Sequence, residues 1–337
     1  MNYELDYTQL DLDCDKEIEN INQKIKYFLS RKLKKRGLVV AISGGIDSAV
    51  SAALAVKAIG PNKVFGLLLP EQDSSSTSSD LGQILAEQLG IKYLKHDIRD
   101  TLDAIGCYDW RDQAIKQTIP EYGDGWKNKI AISGGTEGKI NHFNLVVKNP
   151  NGEMMEKRLE LSEYLQIVAA TNYKQRIRKT IEYFHADRLN YAVVGTPNRL
   201  EYDQGFFVKN GDGSADIKPI AHLYKSQVYA LAHYMKLPEE ICNATPTTDT
   251  YSLQQGQDEF YFALPYKQMD MAVYALNNGY PANILADFLG ISVDHAKFIY
   301  KDIETKRVTT YYLHAGALLI DETPKQELQA VWSEKLK

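Results

Sequence analysis

The chain has 337 residues, enough for one large domain or a domain with an elaboration. It is 44% hydrophobic and 25% charged, ordinary for a soluble globular protein, and its net charge of −5 argues against a general binder of polyanions. No apolar run approaches the roughly 20 residues that span a bilayer, and Cys14, Cys107 and Cys242 are too scattered for a metal site, so they read as reduced thiols of a cytoplasmic protein.

Met1 to Asp15 is acidic and polar, unlike a secretory leader. Over 15–35, Ile18, Ile21, Ile25, Phe28, Leu29 and Leu33 recur at helical spacing. The cations Arg31, Lys32, Lys34, Lys35 and Arg36, followed by Gly37, predict its end. The short apolar run 38–42 predicts a buried strand, 43–48 a glycine-containing turn, and 47–59 a helix. A strand at 64–69, a helix at 79–89 and a strand at 91–96 follow. Later come a long helix at 163–184, a strand at 191–194, a helix at 224–235 and two or three short helices up to 305. Strands alternating with helices predict an α/β fold, a doubly wound parallel sheet flanked by helices with a helical C-terminal region. The whole chain, 1–337, reads as a single domain.

Residues 108–160 interrupt the alternation and read as an insertion. They are rich in Gly, Lys and Asn, and 141–147 is predicted to pair with 154–161 around Asn149-Pro150-Asn151-Gly152. Ser133-Gly134-Gly135 inside it reads as a plain turn. The tail, 321–337, is predicted as a surface helix. Leu285 to Ser292 resembles part of a helix-turn-helix, but the helix after it sets Asp294, Asp302 and Glu304 against Lys297 and Lys301. A DNA-reading helix would be basic, so no nucleic-acid partner is expected.

Ser43-Gly44-Gly45-Ile46-Asp47-Ser48 lies between a predicted strand and a predicted helix. Glycines let backbone approach an anion, the helix start supplies N–H donors, and Ser43 and Ser48 add hydroxyls. Asp47 would repel phosphate unless a cation lay between them, so Mg²⁺ is implied. The loop lacks the lysine of the G-x-x-x-x-G-K-[ST] loop. It resembles the pyrophosphate loop of the N-type ATP pyrophosphatases. That resemblance implies an adenine nucleotide alpha hydrolase-like fold, cleavage of ATP between its α and β phosphates, and ATP contacts from Ser43, Gly44, Gly45, Asp47 and Ser48.

Three further runs narrow the class: Gly195-Thr196-Pro197-Asn198-Arg199-Leu200-Glu201, then Gly205 to Ile220 with Lys209, Asp212 and Asp216, then Leu223-Tyr224-Lys225-Ser226-Gln227-Val228. Glu201 offers a second hard oxygen ligand to pair with Asp47, and Lys225 a point charge suited to phosphates. In order, these runs resemble the ammonia-dependent NAD synthetase family. The resemblance implies a homodimer that adenylates nicotinic acid adenine dinucleotide (deamido-NAD), then lets ammonia displace AMP. It assigns Thr196, Lys225 and Thr247 to ATP; Arg176, Lys209, Asp216 and Lys306 to the dinucleotide; and Asp212 to the place where ammonia enters. The chain has no room for a linked glutaminase, so free ammonia is the expected donor. The family's helix motif has alanine and methionine where Gln175 and Lys179 stand here. A ligase for another carboxylic acid would share the loop, so the acid is less sharply specified than the adenylation. A non-catalytic nucleotide binder would not need Asp47, Glu201 and Lys225 together.

Overall fold

The computed structural model describes residues 4–133, 142–244, 251–253, 256, 261, 264–318 and 320. Leu38–Ala41 (β1), Val64–Leu68 (β2), Lys92–Lys95 (β3) and Ala192–Val194 (β7) pair in parallel in the order β3-β2-β1-β7. Val40 stands opposite Gly66 on one side and Val194 on the other. Such a strand, with neighbours and cover all round, is apolar throughout. Leu38 and Val40 face one core, with Cys14–Tyr27 (α1), Ile46–Ile59 (α2) and Lys225–Tyr234 (α8). Val39, Leu67 and Val193 face the opposite core, with Arg99–Ala104 (α4), Cys107–Thr118 (α5) and Leu161–Leu189 (α6). The sheet is thus covered on both faces, as the alternation predicts.

Several element ends differ from expectation. α1 is capped by Asp13, whose carboxylate accepts from the Lys16 amide at 3.1 Å. It runs into a π-helical segment, Phe28–Leu33, and stops at Lys34 with φ of 54°, ahead of Gly37. Gly37 has a different reason to be glycine: a Cβ there would lie 2.4 Å from the Lys63 carbonyl oxygen. Ser76–Gln88 (α3) starts earlier than predicted because Ser75 caps it, accepting from the Ser78 amide at 3.0 Å. α6 extends to Leu189 and ends at Asn190 with φ of 54°.

The interrupting segment opens with α5 and continues as an antiparallel sheet of Lys127–Ser133 (β4), His142–Lys148 (β5) and Met154–Arg158 (β6). The expected hairpin is β5–β6, with Lys148 opposite Met154. β4 was not foreseen. Ile130, Leu145 and Val147 pack with Ile115 of α5 and Ile167 of α6 as a separate core. Further on, Tyr266–Asn277 (α10), Ala282–Leu289 (α11) and Val293–Thr309 (α12) make another, around Met269, Leu285, Ala296 and Ile299. The helix-turn-helix resemblance is therefore two helices hinged at Gly290, φ 67°, with their apolar faces buried. Gly134, Gly135, Thr247 and the tail 321–337 lie outside the described residues. Among the described residues no helix is long and apolar enough to cross a membrane.

A buried ionic knot ties the loop after β2 to α5 and α6. Lys174 Nζ meets Glu71 Oε1 at 3.1 Å and Asp73 Oδ2 at 2.6 Å, while Arg111 reaches Asp73 at 2.7 Å. Tyr108 donates its hydroxyl to Glu71 at 2.9 Å. Removing one member leaves an uncompensated buried charge. Lys174→Ala is expected to cost about 3–5 kcal/mol of unfolding free energy, measured by urea denaturation; a loss below about 1 kcal/mol would mean the knot is solvated.

Candidate active site

The order of the sheet reverses at β1: β2 and β3 lie to one side and β7 to the other. Loops leaving the C-terminal ends of β1 and β7 open a crevice there, the usual ligand position in open α/β sheets. The Ser43–Ser48 loop leaves β1. Gly44 has φ of +85°, and a Cβ on it would sit 2.3 Å from the Ser78 carbonyl oxygen. Both observations demand glycine. Ser48 Oγ donates to the Gly45 carbonyl at 2.8 Å, and the Gly45 amide donates to Ser43 Oγ at 3.3 Å. Gly45 occupies the N-cap of α2 and no side chain caps that helix. Its first amides are left as donors for an anion.

Asp47, in the first turn of α2, accepts from Asn198 Nδ2 through Oδ1 at 3.1 Å and from Lys225 Nζ through Oδ2. Asn198 is buried and caps Arg199–Gln204 (α7), accepting from the Leu200 and Glu201 amides at 2.9 and 3.3 Å. Its own amide donates to Glu201 Oε2 at 3.1 Å. One asparagine therefore links both predicted metal carboxylates. Lys225 opens α8 and is only 2% exposed. Burial alone would lower its pKa, but the Asp47 and Glu201 carboxylates hold it above the ordinary lysine value. Asp270, fully buried on α10, accepts from the Lys225 amide at 3.1 Å and the Ser226 amide at 2.8 Å. Burial pushes its carboxyl up to about 6, against those amides.

These groups open on a cleft of about 1260 Å³. Ser43, Gly44, Gly45, Asp47, Ser48, Arg176, Thr196, Glu201, Lys209, Asp212, Lys225 and Lys306 all line it. Lys209 Nζ donates to the carbonyls of Tyr312 and Ala315 at 2.6 and 2.9 Å, and Arg176 Nε donates to the Lys209 carbonyl at 3.3 Å. Lys306 bridges Asp302 and the Tyr261 carbonyl, both at 2.6 Å. Asp212 accepts from the Val208 amide at 2.8 Å, and burial raises its pKa. Asp216 is not brought to the cleft. It is exposed, and it accepts from the Val193 amide at 2.7 Å and the Tyr183 hydroxyl at 3.4 Å. The sequence reading gave Asn198 and Asp270 no role. The spacing Asn-x-x-Glu at 198–201, a capping-box pattern, could have flagged the first; Asp270 is too far along the chain from Lys225 to leave a local trace.

Among the described residues no group of three or more His, Cys, Asp or Glu side chains is arranged for a metal ion. Mg²⁺ does not need one. It takes one or two protein carboxylates and completes its octahedron with water and phosphate oxygens, so Asp47 and Glu201 fit it.

A parallel sheet with a glycine loop and paired carboxylates at its reversal point defines a nucleotide-binding α/β enzyme. Comparison with known proteins is more specific. The model of the NAD synthase family matches residues 17–119 and 139–308. The NH(3)-dependent NAD(+) synthetase of Rhizobium meliloti (strain 1021) is 55% identical over 300 residues, 89% of each chain. That of Mesorhizobium japonicum is 51% identical over 92% of this chain and 98% of its own. In fold, the chain is similar to NMN synthetase from Francisella tularensis (TM-score 0.61, 22% identity, 92% of this chain and 100% of that one). It is also similar to the NH3-dependent NAD synthetase from Campylobacter jejuni (TM-score 0.60, 22% identity, the same coverage). The chain belongs to the NAD synthase family.

Asp270 generates a pH prediction. Its folded pKa, about 6, lies above the unfolded carboxyl value, so its contribution is full below the unfolded pKa and fades as pH rises through about 6. Asp270→Asn should flatten the fall in stability between about pH 4 and 7, read from denaturant midpoints across that range. An unchanged slope would assign the titration elsewhere.

Proposed function

We propose that this chain makes NAD⁺ from deamido-NAD, ATP and ammonia through an adenylated carboxylate. The observation that carries the reading is a buried lysine, Lys225, held by Asp47 beside the uncapped start of α2, in a chain of the NAD synthase family. The dinucleotide carboxylate attacks the α-phosphorus of ATP, and the α–β bridging P–O bond breaks to release pyrophosphate. Ammonia then adds to the acyl carbon, a proton is lost to solvent, and the C–O bond to AMP breaks.

Each stage has residues suited to it. The α2 amides with Ser43 and Ser48 receive phosphate oxygens, and Gly44 and Gly45 let the backbone come close. Lys225 lies where charge grows on the departing pyrophosphate. Thr196 lines the same end of the cleft, and Thr247, outside the described residues, keeps its assignment to ATP by family likeness. Arg176, Lys209 and Lys306 hold the dinucleotide, and Asp212 faces the entering ammonia. Asp216 we assign to holding β7 rather than substrate. Mg²⁺, held by Asp47 and Glu201, would neutralise phosphate charge when bound. Cys14, Cys107 and Cys242 are free thiols, in keeping with a cytoplasmic enzyme, and the family likeness carries a homodimer with it.

Incubation with ATP, Mg²⁺, ammonium and deamido-NAD should yield equal amounts of AMP, pyrophosphate and NAD⁺. ADP and phosphate would overturn the cleavage mode. Pyrophosphate release with some other carboxylic acid, and none with deamido-NAD, would overturn the choice of acid. Lys225→Met should lower kcat about 10²–10³-fold, and Asp47→Asn should raise the Mg²⁺ concentration needed for half-maximal rate.

A further inference from the structure

A short segment after α12 closes over one side of the cleft. The match to the family model ends at residue 308, one residue before α12 does. Thr310, Tyr312 and Leu313 lie beyond that point and line the cleft. The segment is seated in two places. Thr310 Oγ1 donates to the Lys306 carbonyl at 2.6 Å and reaches the Gln204 carbonyl at 3.3 Å. It fits there because Gly205 carries no side chain: a Cβ would lie 2.3 Å from Thr310 Cβ. Four residues on, the His314 ring packs edge-on against Tyr202 and Phe207, with centroids 4.8 and 5.0 Å away.

Seated in this way, the segment presents the Tyr312 and Ala315 carbonyls to Lys209 Nζ, at 2.6 and 2.9 Å. The Tyr312 ring centroid lies 5.6 Å from the same ammonium. Other cleft lysines are treated differently. Lys179, Lys225 and Lys306 each pair with a carboxylate. Among the described residues Lys209 has two carbonyls and a ring instead, which orient its charge without cancelling it. An ammonium has three N–H donors, so one is left for a ligand. Arg176 donates to the carbonyl of Lys209 itself, which brings a second cation alongside. An unrestrained lysine would have to be ordered when its ligand binds, at a cost in affinity.

We infer that residues 310–315 form a strap that holds the Lys209 ammonium in place for an anionic group of the substrate, with Thr310 and His314 as positioning residues. This rests on the proposed reaction, in which Lys209 holds the dinucleotide. The strap contributes main-chain oxygens rather than a side chain that meets the substrate, so its sequence carries no ligand-binding motif.

The carbonyls cannot be removed by substitution, so the test goes through the anchors, in the full-length enzyme. His314→Ala should raise the KM for deamido-NAD about two- to tenfold, with kcat and the KM for ATP little changed. His314→Phe keeps the edge contacts and should restore the low KM. Thr310→Val loses both hydroxyl bonds at nearly the same size and should shift the KM in the same direction as His314→Ala. In a Lys209→Met background, His314→Ala should have no further effect, because the strap acts through the ammonium. A rise of the same size in that background would make the strap a structural support only, and a fall in KM would make it an obstruction. Either result, or an unchanged KM in both anchor variants, would overturn the inference and leave the reaction standing. If the unaltered enzyme makes no NAD⁺ from deamido-NAD, the reaction falls and this assignment with it.

Discussion

The site depends on taking one ammonium group, that of Lys225, almost wholly out of water. Isolated, it would be costly to bury; Asp47 and Glu201 make it tolerable, and they in turn are tied together by Asn198. A buried ion pair is weak evidence of stability, because desolvation offsets much of the attraction. Its consequence here is positional. Asp47 starts α2, Asn198 and Glu201 start α7, and Lys225 starts α8, so one connected set of polar contacts fixes three helix N-termini against each other. Asp270 secures the third from behind, through the backbone amides of Lys225 and Ser226. The groups needed for charge handling at the cleft thus also set its width.

α6 is the other organising element. It touches β1 and β7 at one end, the inserted sheet at the other, and the cleft between. To do this it inverts the usual distribution of side chains. Lys174, Lys179, Glu182 and His185 are buried, whereas Leu165 and Phe184 are more than half exposed. Each buried charge has a partner, Lys174 with Glu71 and Asp73 and Lys179 with Glu182, while His185, its pKa lowered by burial and by Arg188, accepts from Arg188 at 2.8 Å. The ionic knot around Lys174 also holds the loop after β2, which walls the cleft beside Ser74 and Ser78.

This explains what could be read from the sequence. Runs such as Leu38 to Ile42 announce themselves because a strand buried on both faces is apolar throughout, and the Ser43–Ser48 loop because its glycines and Asp47 are contiguous. Most of the residues that the family resemblance assigns to ligands line one cleft: some leave the ends of β1 and β7 or open α2 and α8, while Arg176 lies within α6 and Lys306 in the last turn of α12. Features that depend on a distant partner left no local mark. The end of α6 falls beyond 184 because its last turn, His185 to Leu189, carries a buried histidine and two exposed charges, Asp187 and Arg188, and so continues no apolar stripe. β4, Lys-Asn-Lys-Ile-Ala-Ile-Ser, sets three polar residues before three apolar ones with no alternation to mark a strand, and its pairing to β5 is what stabilises it. Asp216 matched a pattern, and in the fold it lies outside the cleft and accepts from the Val193 amide of β7. Asp270 caps a helix that begins 45 positions earlier in the chain.

The two departures from the family's helix motif bear on whether the site still works. Gln175 and Lys179 stand where alanine and methionine are usual, and either change, taken alone, would crowd or charge the cleft wall. In the fold both are accommodated. The Gln175 Cβ lies against Gly211 just as an alanine's would, and the longer side chain turns along the helix to accept from the Arg178 guanidinium at 3.5 Å. Lys179 meets Glu182 one turn along at 2.7 Å, with both side chains under 10% exposed. An uncompensated lysine there would add a full charge beside Asp212 and would have to be solvated from the cleft; a paired one is close to neutral at a distance. A substituted motif position weakens a functional reading when its partner is missing. Here each has one, so the wall that Arg176 shares with these residues keeps its shape, and the family's chemistry remains available to this chain.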